Sequence, residues 1–304
     1  MTKVLITGGT GLVGKRLAEQ LLKAGYGVNI LSRKAAGRSK KTFSFHWNIE
    51  TGEIDSNAFE GISAIIHLAG TGIAEKRWTL ERKRQIVESR VRSADLIFNF
   101  LKTHKHSVKA FISASAVGYY GNCGNEIVDE QHLPGKDFLA EVCKQWEESA
   151  KKFSAIGIRE VRCRVGIVLT KNGGALPKFT RTIPFGITSY IAQKNLYYPW
   201  IHIDDLCRMF QYAIEKETLH GAVNATAPNP VLMKTLMKEI AYAQNSKVVL
   251  IPVPAIGIKL AIGEMSSLLL NSQRCTSQKI IQSGFRYKFE TVDKALANIY
   301  KCSS

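Results

Sequence analysis

The sequence has 304 residues and lacks any apolar run near the ~20 residues that cross a bilayer. Its start, from Met1 into the apolar segment ending at Thr7, also lacks the basic, long apolar and small-residue parts of a signal peptide. We therefore expect a cytoplasmic protein with no membrane partner.

Paired cysteines are missing as well. The six cysteines are scattered, and none forms a Cys-x-x-Cys pair. This spacing argues against a disulfide framework and against a zinc site. We expect reduced, mostly structural thiols at Cys123, Cys143, Cys163, Cys207, Cys275 and Cys302.

Acidic residues are few: 25 Asp and Glu stand against 42 Lys and Arg, which gives a net charge of +17. Such a field attracts polyanions, so nucleic-acid binding is one hypothesis. The basic residues are dispersed, however, and no recognition motif with interleaved aromatics accompanies them. We expect a solvated basic surface that partly faces a phosphorylated ligand, with no specific nucleic-acid partner.

The chain does contain short β-branched runs that alternate with helical patterns. This alternation predicts a parallel sheet covered by helices. The predicted strands are Val4–Ile6, Val28–Ser32, Phe43–Trp47, Ala64–Leu68, Ala110–Ser113 and Val161–Leu169. The predicted fold is α/β, a Rossmann-type doubly wound parallel sheet with a smaller α-rich C-terminal lobe.

The alternation fades after about residue 169, where glycines and prolines mark loops. We therefore predict a cofactor-binding Rossmann domain over 1–169, completed by about 201–227. Residues 170–200 and 228–304 are predicted to form the substrate lobe.

The most specific motif is the segment Thr7 to Gly14, with Gly8, Gly11 and Gly14 spaced three apart between a strand and a helix. The first glycine permits a tight turn, the second lets the backbone approach a pyrophosphate, and the third lets helix and strand pack closely. The helix N-terminus adds unpaired N–H groups and partial positive charge. We predict dinucleotide contacts from Gly8, Thr10, Gly11, Leu12, Val13 and Gly14.

The end of the second strand indicates which dinucleotide binds. An NAD site needs a carboxylate there for the ribose 2′-hydroxyl. No acidic residue lies between Glu19 and Glu50, and Ser32 and Arg33 occupy the place. A hydroxyl and a guanidinium suit a 2′-phosphate, so the predicted cofactor is NADP(H).

Five segments resemble the extended short-chain dehydrogenases/reductases of the epimerase/dehydratase type. They run in the expected order: Thr7–Gly14, His67–Gly70, Ser113–Gly121, Arg164–Val168 and Trp200–Asp205. More narrowly, the chain resembles the cell-division-inhibitor-like epimerase-family proteins that carry a C-terminal domain of unknown function. The Trp78 region, Ser89-Arg90, Phe138–Lys144, Ser272–Arg274 and Gly284-Phe285 carry that likeness.

The resemblance implies further cofactor contacts. Leu68 and Ala69 end the fourth strand, where the family passes the adenosine and pyrophosphate. Arg90 and Gln85 lie on the long helix that follows, and Val168 lies on the nicotinamide side. For Arg90 the alternative is a surface charge within a basic run.

Enzymes of this superfamily usually carry Tyr-x-x-x-Lys on the helix after the fifth strand, where the Lys lowers the Tyr pKa. Leu139 and Cys143 stand at those positions here, and Lys144 is one residue off. The hydroxyl that ends the fifth strand is present as Ser115, with Ser113 as a second candidate.

Three interpretations of the missing pair stay open. Tyr119 or Tyr120 supplies the acid, or one of them packs under the cofactor loop. His202 with Asp204 forms an acid–base pair, or the pair organises the start of the next helix. Lastly, the protein binds NADP(H) as a sensor or regulatory module with little turnover.

We therefore expect an NADP(H)-dependent oxidoreductase or epimerase that acts on a small-molecule carbonyl or sugar-like substrate. In this mechanism Ser115 orients the reacting oxygen and Tyr119 handles the proton. The sensor hypothesis keeps the same cofactor site.

Overall fold

A computed structural model describes residues 2–34 and 42–301. The strands are β1 (Lys3–Thr7), β2 (Gly27–Ser32), β3 (Thr42–Asn48), β4 (Glu53–Ile54), β5 (Ile62–His67), β6 (Ala110–Ala116), β7 (Ile127–Val128), β8 (Arg159–Val165), β9 (Ile167–Leu169), β10 (Ile187–Ile191), β11 (Tyr197–Tyr198), β12 (Trp200–His202), β13 (Gly221–Ala225), β14 (Val231–Leu232), β15 (Val249–Val253) and β16 (Arg274–Cys275). The α-helices are α1 (Leu12–Lys23), α2 (Leu80–Thr103), α3 (Phe138–Lys151), α4 (Leu176–Phe179), α5 (Ile203–Glu215), α6 (Met233–Ala243), α7 (Ala255–Ile262), α8 (Ser267–Leu270), α9 (Gln278–Gln282) and α10 (Val292–Lys301).

The main sheet has eight strands in the order β13-β8-β6-β5-β1-β2-β3-β4. The pairs from β6 to β3 are parallel, and β4 adds an antiparallel edge. The chain leaves β1 toward β2 and later returns to β5 on the other side of β1. This reversal is a topological switch point, where open α/β sheets bind ligands beyond the carboxyl ends of the strands. The structure thus confirms the predicted Rossmann-type fold.

The chain groups into two compact units. The first takes its described residues from Met1–Ser115, Val142–Cys163 and Cys207–Val223. The second takes its described residues from Ala116–Glu141, Arg164–Leu206 and Asn224–Ser304. The domain limits predicted from the sequence, with a change near residue 169, stay a prediction.

Each unit has its own apolar core. In the first, Phe111 is stacked on Phe153, and Leu5 and Ile65 are fully buried beside them. In the second, helices α6 and α10 contribute to a core around Trp200.

One predicted strand is wrong in its extent. The segment Val161–Leu169 is divided at Gly166 into β8 and β9, and β9 pairs with β12 outside the main sheet. A Cβ at Gly166 would lie 2.6 Å from the carbonyl oxygen of Pro199. The strand therefore changes sheets at the residue where only glycine fits.

Within the described ranges, no helix is both long and apolar enough to cross a membrane.

His67 is fully buried at the end of β5 and joins β1 to α2. The Thr7 hydroxyl oxygen accepts the backbone N–H groups of Leu68 and Ala69, both at 3.2 Å. Its own hydrogen is therefore donated to Nδ1 of His67, 2.8 Å away. The imidazole then carries its hydrogen on Nε2 and donates it to Ser93 Oγ at 3.2 Å.

Burial lowers the pKa of His67 to about 4. An unfolded chain would protonate this imidazole near pH 6.5. Between pH 4 and pH 6.5 the His67 imidazole is protonated in the unfolded state but neutral in the folded state. The free energy of unfolding therefore falls as the pH falls from 6.5 toward 4. Above pH 6.5 neither state is protonated, and this penalty vanishes.

We therefore predict that acidification from pH 7.5 to 4.5 destabilises the protein by about 2–3 kcal/mol more than it destabilises the His67→Asn variant. Asparagine keeps a short polar side chain beside Thr7 but does not titrate. Urea unfolding at a series of pH values measures the difference. Parallel pH profiles for the two proteins would contradict the assignment.

Candidate functional site

The glycine loop lies directly beyond β1, at the switch point of the sheet. Gly8 has φ +68°, and a Cβ there would lie 2.7 Å from the carbonyl oxygen of Leu68. The Gly11 N–H closes the turn on the Gly8 carbonyl oxygen at 3.0 Å. Glycine is thus required at Gly8 both for its backbone conformation and for its contact with the loop after β5.

Helix α1 begins without a side-chain cap. Its N-cap residue is Gly11, and the first turn holds no acidic residue. Thr10 and Gly11 are exposed, while Leu12 and Val13 are half-buried. The N–H groups at this end are therefore available to an anion, together with the positive end of the helix dipole.

Gly14 is buried and completes the motif. A Cβ at this position would collide with the backbone of Gly8 and Gly9. The helix consequently packs directly on the loop that precedes it, as the spacing of the glycines predicts.

Ser32 and Arg33 lie at the end of β2, on the same edge of the sheet as the glycine loop. The Ser32 hydroxyl oxygen accepts the Lys34 backbone N–H at 3.3 Å. Arg33 is exposed, and its guanidinium has no ion-pair partner among the residues described. This edge therefore offers a cation and a hydroxyl, and no carboxylate follows in the sequence before Glu50.

Arg90 is 6% exposed on α2, so the surface-charge alternative for this residue is wrong. Its guanidinium donates to the carbonyl oxygens of Thr71 and Ile86 and lies 4.9 Å from the Trp146 ring. Its Nε is buried without a hydrogen-bond partner, and no carboxylate in the described part of the chain pairs with it.

Burial lowers the pKa of Arg90 to about 10, which leaves the guanidinium charged at neutral pH. A buried charge without a counterion is costly. The loop after β5 and helix α2 thus hold a cation whose charge an anionic ligand would balance.

Gln85 is exposed, one and a half turns before Arg90. Its amide donates to Glu81 Oε1 at 3.1 Å and accepts from Arg82 Nη1 at 3.4 Å. Arg82 itself is buried and donates to the carbonyl oxygen of Gly72 at 2.7 Å, which braces the loop before α2.

Ser115 is 2% exposed near the end of β6, and its hydroxyl donates to Glu147 Oε1 on α3 at 2.8 Å. Glu147, also 2% exposed, accepts from Arg162 at 3.1 Å, and Arg162 donates in turn to Glu160. The single hydrogen of Ser115 is thus directed at Glu147, which leaves its oxygen to accept. Sequence reasoning missed Glu147.

Helix α3 holds no Tyr–Lys pair. Leu139 and Cys143 are both buried, and Lys144 is exposed. No tyrosine occurs elsewhere on this helix, so a tyrosine that acts as proton donor must come from another element.

Tyr119 and Tyr120 follow β6 and belong to the second unit. The Arg164 guanidinium lies 3.5 Å from the Tyr119 ring centroid. Arg164 also donates to the Tyr120 hydroxyl, which donates to Asn224 Oδ1 at 2.6 Å. Burial raises the pKa of Tyr120 far above its usual value. Among the described residues the hydroxyl of Tyr119 has no hydrogen-bond partner, so Tyr119 is the more available acid.

Glu130 belongs to the same polar cluster. Its Oε1 accepts the backbone N–H of Asn224 at 2.7 Å, and its backbone carbonyl accepts from Arg164 at 3.1 Å. Burial raises the pKa of the Glu130 carboxyl above its usual range.

His202 and Asp204 organise the start of α5. The buried His202 ring accepts the backbone N–H of Asp204 on Nδ1 at 3.1 Å and lies against Phe289 at 4.0 Å. The buried carboxylate of Asp205 accepts the backbone N–H groups of Lys288 and Phe289. The contacts of His202 therefore favour the structural interpretation over an acid–base pair.

Val168 lies on β9, also in the second unit, and pairs with Ile201 of β12. It is half-buried. The first unit thus holds every other predicted cofactor residue, and the second holds Val168 and Tyr119.

Two segments match known families. Residues 4–149 match the NAD dependent epimerase/dehydratase family, and residues 253–299 match a domain of unknown function, DUF1731. The first match covers the glycine loop, the loop after β5 and helix α2.

Related sequences span nearly the whole chain. The epimerase family protein YfhF of Bacillus subtilis is 34% identical over 297 residues, 97% of each chain. The epimerase family protein Mb2239 of Mycobacterium bovis is 32% identical over 294 residues, 96% of each chain.

Solved structures share the fold. The human epimerase family protein SDR39U1, crystallised with NADPH, superposes with a TM-score of 0.86 at 24% identity and covers 99% of each chain. A nucleoside-diphosphate sugar epimerase from Corynebacterium glutamicum reaches a TM-score of 0.79 at 30% identity, over 99% of this chain and 58% of its own.

The glycine loop, the two matched family segments and the relatives that align over 97% of the chain agree with one another. The chain therefore belongs to the NAD(P)-dependent epimerase family of extended short-chain dehydrogenases/reductases, with a C-terminal DUF1731 domain.

Proposed function

We propose that this protein binds NADP(H) and acts as an oxidoreductase or epimerase on a small carbonyl or sugar-like substrate. The observation that carries the proposal is the first unit's anion site, formed by the uncapped start of α1 beside the Gly8 turn. The sequence offers Ser32 and Arg33 where an NAD site would carry a carboxylate.

The residues present fit a dinucleotide. A side chain at Gly8 would collide with the Leu68 carbonyl, so only glycine fits at this position of the loop. The N–H groups from Leu12 to Gly14 lie in the first turn of α1, which is where such loops bind a pyrophosphate. Arg90 supplies a buried charge that no carboxylate among the described residues pairs with.

The 2′-phosphate is assigned to Ser32 and Arg33. A guanidinium presents paired donors to phosphate oxygens, and a hydroxyl adds one more. The remaining assignments follow the family resemblance. Leu68 and Ala69 are assigned to contact the adenosine and pyrophosphate. Gln85 is assigned to the part of the cofactor near Arg90, and Val168 to the nicotinamide.

NADP(H) would supply hydride exchange at the substrate carbon. The chain's own task is then to hold the substrate oxygen and move its proton. Tyr119 is proposed as the acid, because its ring is held by Arg164 and its hydroxyl is not engaged by another described residue. Ser115 is proposed to orient the oxygen as a hydrogen-bond acceptor, since its own hydrogen goes to Glu147.

The comparisons support a sugar-like substrate. Relatives bear the name epimerase family protein, and a structural neighbour is a UDP-glucuronic acid 4-epimerase solved with UDP-glucuronic acid and NAD. A keto or hydroxy group on a sugar is the kind of centre that hydride exchange can act on.

One observation favours the alternative of a regulatory module. Helix α3 buries Leu139 and Cys143 where the superfamily usually carries its Tyr and Lys. A protein that senses NADP(H) would need the anion site and no proton donor.

Replacement of Arg33 tests the cofactor. We expect Arg33→Ala to weaken NADPH binding by about tenfold to a hundredfold, because one charge-assisted pair to the 2′-phosphate is lost. NADH binding should change less than twofold. Calorimetric titration of both nucleotides measures these values.

Arg84→Ala is the matched control, since Arg84 is an exposed arginine on α2 that pairs with Glu88. It should leave both affinities unchanged. If NADH bound as tightly as NADPH, or if neither bound, the NADP(H) assignment would be wrong.

Tyr119→Phe and Ser115→Ala separate enzyme from sensor. We expect Tyr119→Phe to lower kcat by about a hundredfold, as for the loss of a general acid. Ser115→Ala should lower kcat by a smaller factor. The assay is NADPH oxidation or product formation over a panel of small carbonyls and sugar nucleotides.

Tyr242→Phe is the control, because Tyr242 is exposed at the end of α6. NADPH titration of each variant shows whether the cofactor site survives. Unchanged turnover in both test variants would remove the catalytic assignment, and no turnover in the wild type with tight NADPH binding would support the sensor.

A further inference from the structure

The second unit carries several large apolar side chains that are exposed. Large apolar side chains are exposed on turn, strand and helix segments between residues 185 and 260. They are Phe185 (79%), Ile187 (38%), Leu232 (37%), Tyr242 (80%), Val249 (66%), Ile251 (41%), Ile256 (65%) and Leu260 (80%). Exposed apolar groups concentrated in one region mark an interaction site more often than scattered ones do.

Several of these side chains share one face of a small sheet. Strands β10 and β15 are parallel, and Ile187 pairs with Val249. Because side chains alternate along a strand, Ile251 points to the same side as Val249, while Thr188 is buried on the other. One side of this two-stranded sheet therefore exposes Ile187, Val249 and Ile251.

Helix α7 follows β15 directly after Pro254 and is almost entirely apolar, yet none of its residues is buried. Ala255 and Ile258 are partly buried and pack against the apolar core of the unit. Ile256 and Leu260 are four residues apart, so they lie on one side of the helix, and both are exposed. We use the name apolar face for the exposed apolar side chains of these segments and of the turn before β10: Phe185, Ile187, Val249, Ile251, Ile256 and Leu260.

The surrounding sequence is basic. Segments 170–200 and 233–270 contain Glu239 and Glu264 as their only acidic residues. Their basic residues are Lys171, Lys178, Arg181, Lys194, Lys234, Lys238, Lys247 and Lys259. A second copy of the chain would bring the same positive charge to the contact, and each copy already carries +17. The charge therefore disfavours self-association and favours an anionic partner.

We propose that the apolar face docks on the surface of an anionic lipid bilayer. Interfacial helices insert an apolar side while nearby lysines contact the anionic headgroups. Lys259 lies on α7 between Ile256 and Leu260 and is exposed, so its stem can lie along the apolar layer with its ammonium at the headgroups. Tyr242 adds an exposed aromatic ring with a polar tip, a side chain suited to this boundary.

The sequence expectation of no membrane partner rested on the absence of a spanning run. Peripheral binding needs no such run, and the exposure of this face could not be read from the sequence. The proposal is independent of cofactor and substrate.

The test is sedimentation of the full chain with vesicles of phosphatidylcholine, alone or with phosphatidylserine. We expect binding to the phosphatidylserine vesicles that weakens with salt, and little binding to phosphatidylcholine alone. The double variant Ile256→Ser, Leu260→Ser should lower the partition coefficient by about tenfold or more. Leu133→Ser is the control, because Leu133 is equally exposed outside the apolar face, and it should bind like the wild type.

Circular dichroism and urea unfolding of the double variant check that its fold is kept. Equal binding by wild type and double variant would overturn the proposal, because charge alone would then explain the binding. Absence of binding to either vesicle would overturn it too. A wild-type dimer in sedimentation equilibrium that the double variant lacks, without vesicle binding, would assign the face to a second copy instead.

Discussion

The close approach of Gly8 to the Leu68 carbonyl determines the shape of the loops at the carboxyl edge of the sheet. The Thr7 hydroxyl enforces this approach by accepting the backbone N–H groups of Leu68 and Ala69. With those two loops held together, α1 begins directly after the glycine loop, and no side-chain cap among the described residues satisfies the N–H groups of its first turn. The anion site is thus a consequence of how β1 and β5 are joined.

The same constraint explains why a charged arginine can be buried nearby. Arg90 lies on the helix that follows β5, and His67 and Ser93 tie that helix to the strand ends. The Trp146 ring and two carbonyl oxygens offset part of its desolvation. No carboxylate among the described residues completes the offset. A phosphate would, so ligand binding and the stability of this helix are expected to be coupled.

The sequence allowed prediction of features that depend on short stretches of chain. The β1–α1–β2 order and the glycine loop follow from local periodicity and spacing. The break at Gly166 could not be predicted, because it depends on contact with Pro199 in a distant segment. For the same reason, Ser115 was predicted as a candidate without Glu147, which lies 32 residues away and takes its hydrogen. The burial of Arg90 likewise depends on packing that a helical pattern does not reveal.

The missing Tyr–Lys pair cannot be restored within α3. Successive helical residues are turned by about 100°, so Lys144 lies on a different side from Cys143. Lys144 is exposed while Cys143 is buried, and a rotation of the helix that exchanged them would bring Glu148 or Lys151 toward the core. If a tyrosine protonates a substrate oxygen, it must therefore come from another element. Tyr119 is the proposed proton donor, because it is a phenol whose hydroxyl no described residue engages. The enzyme and sensor hypotheses thus differ at this one hydroxyl group.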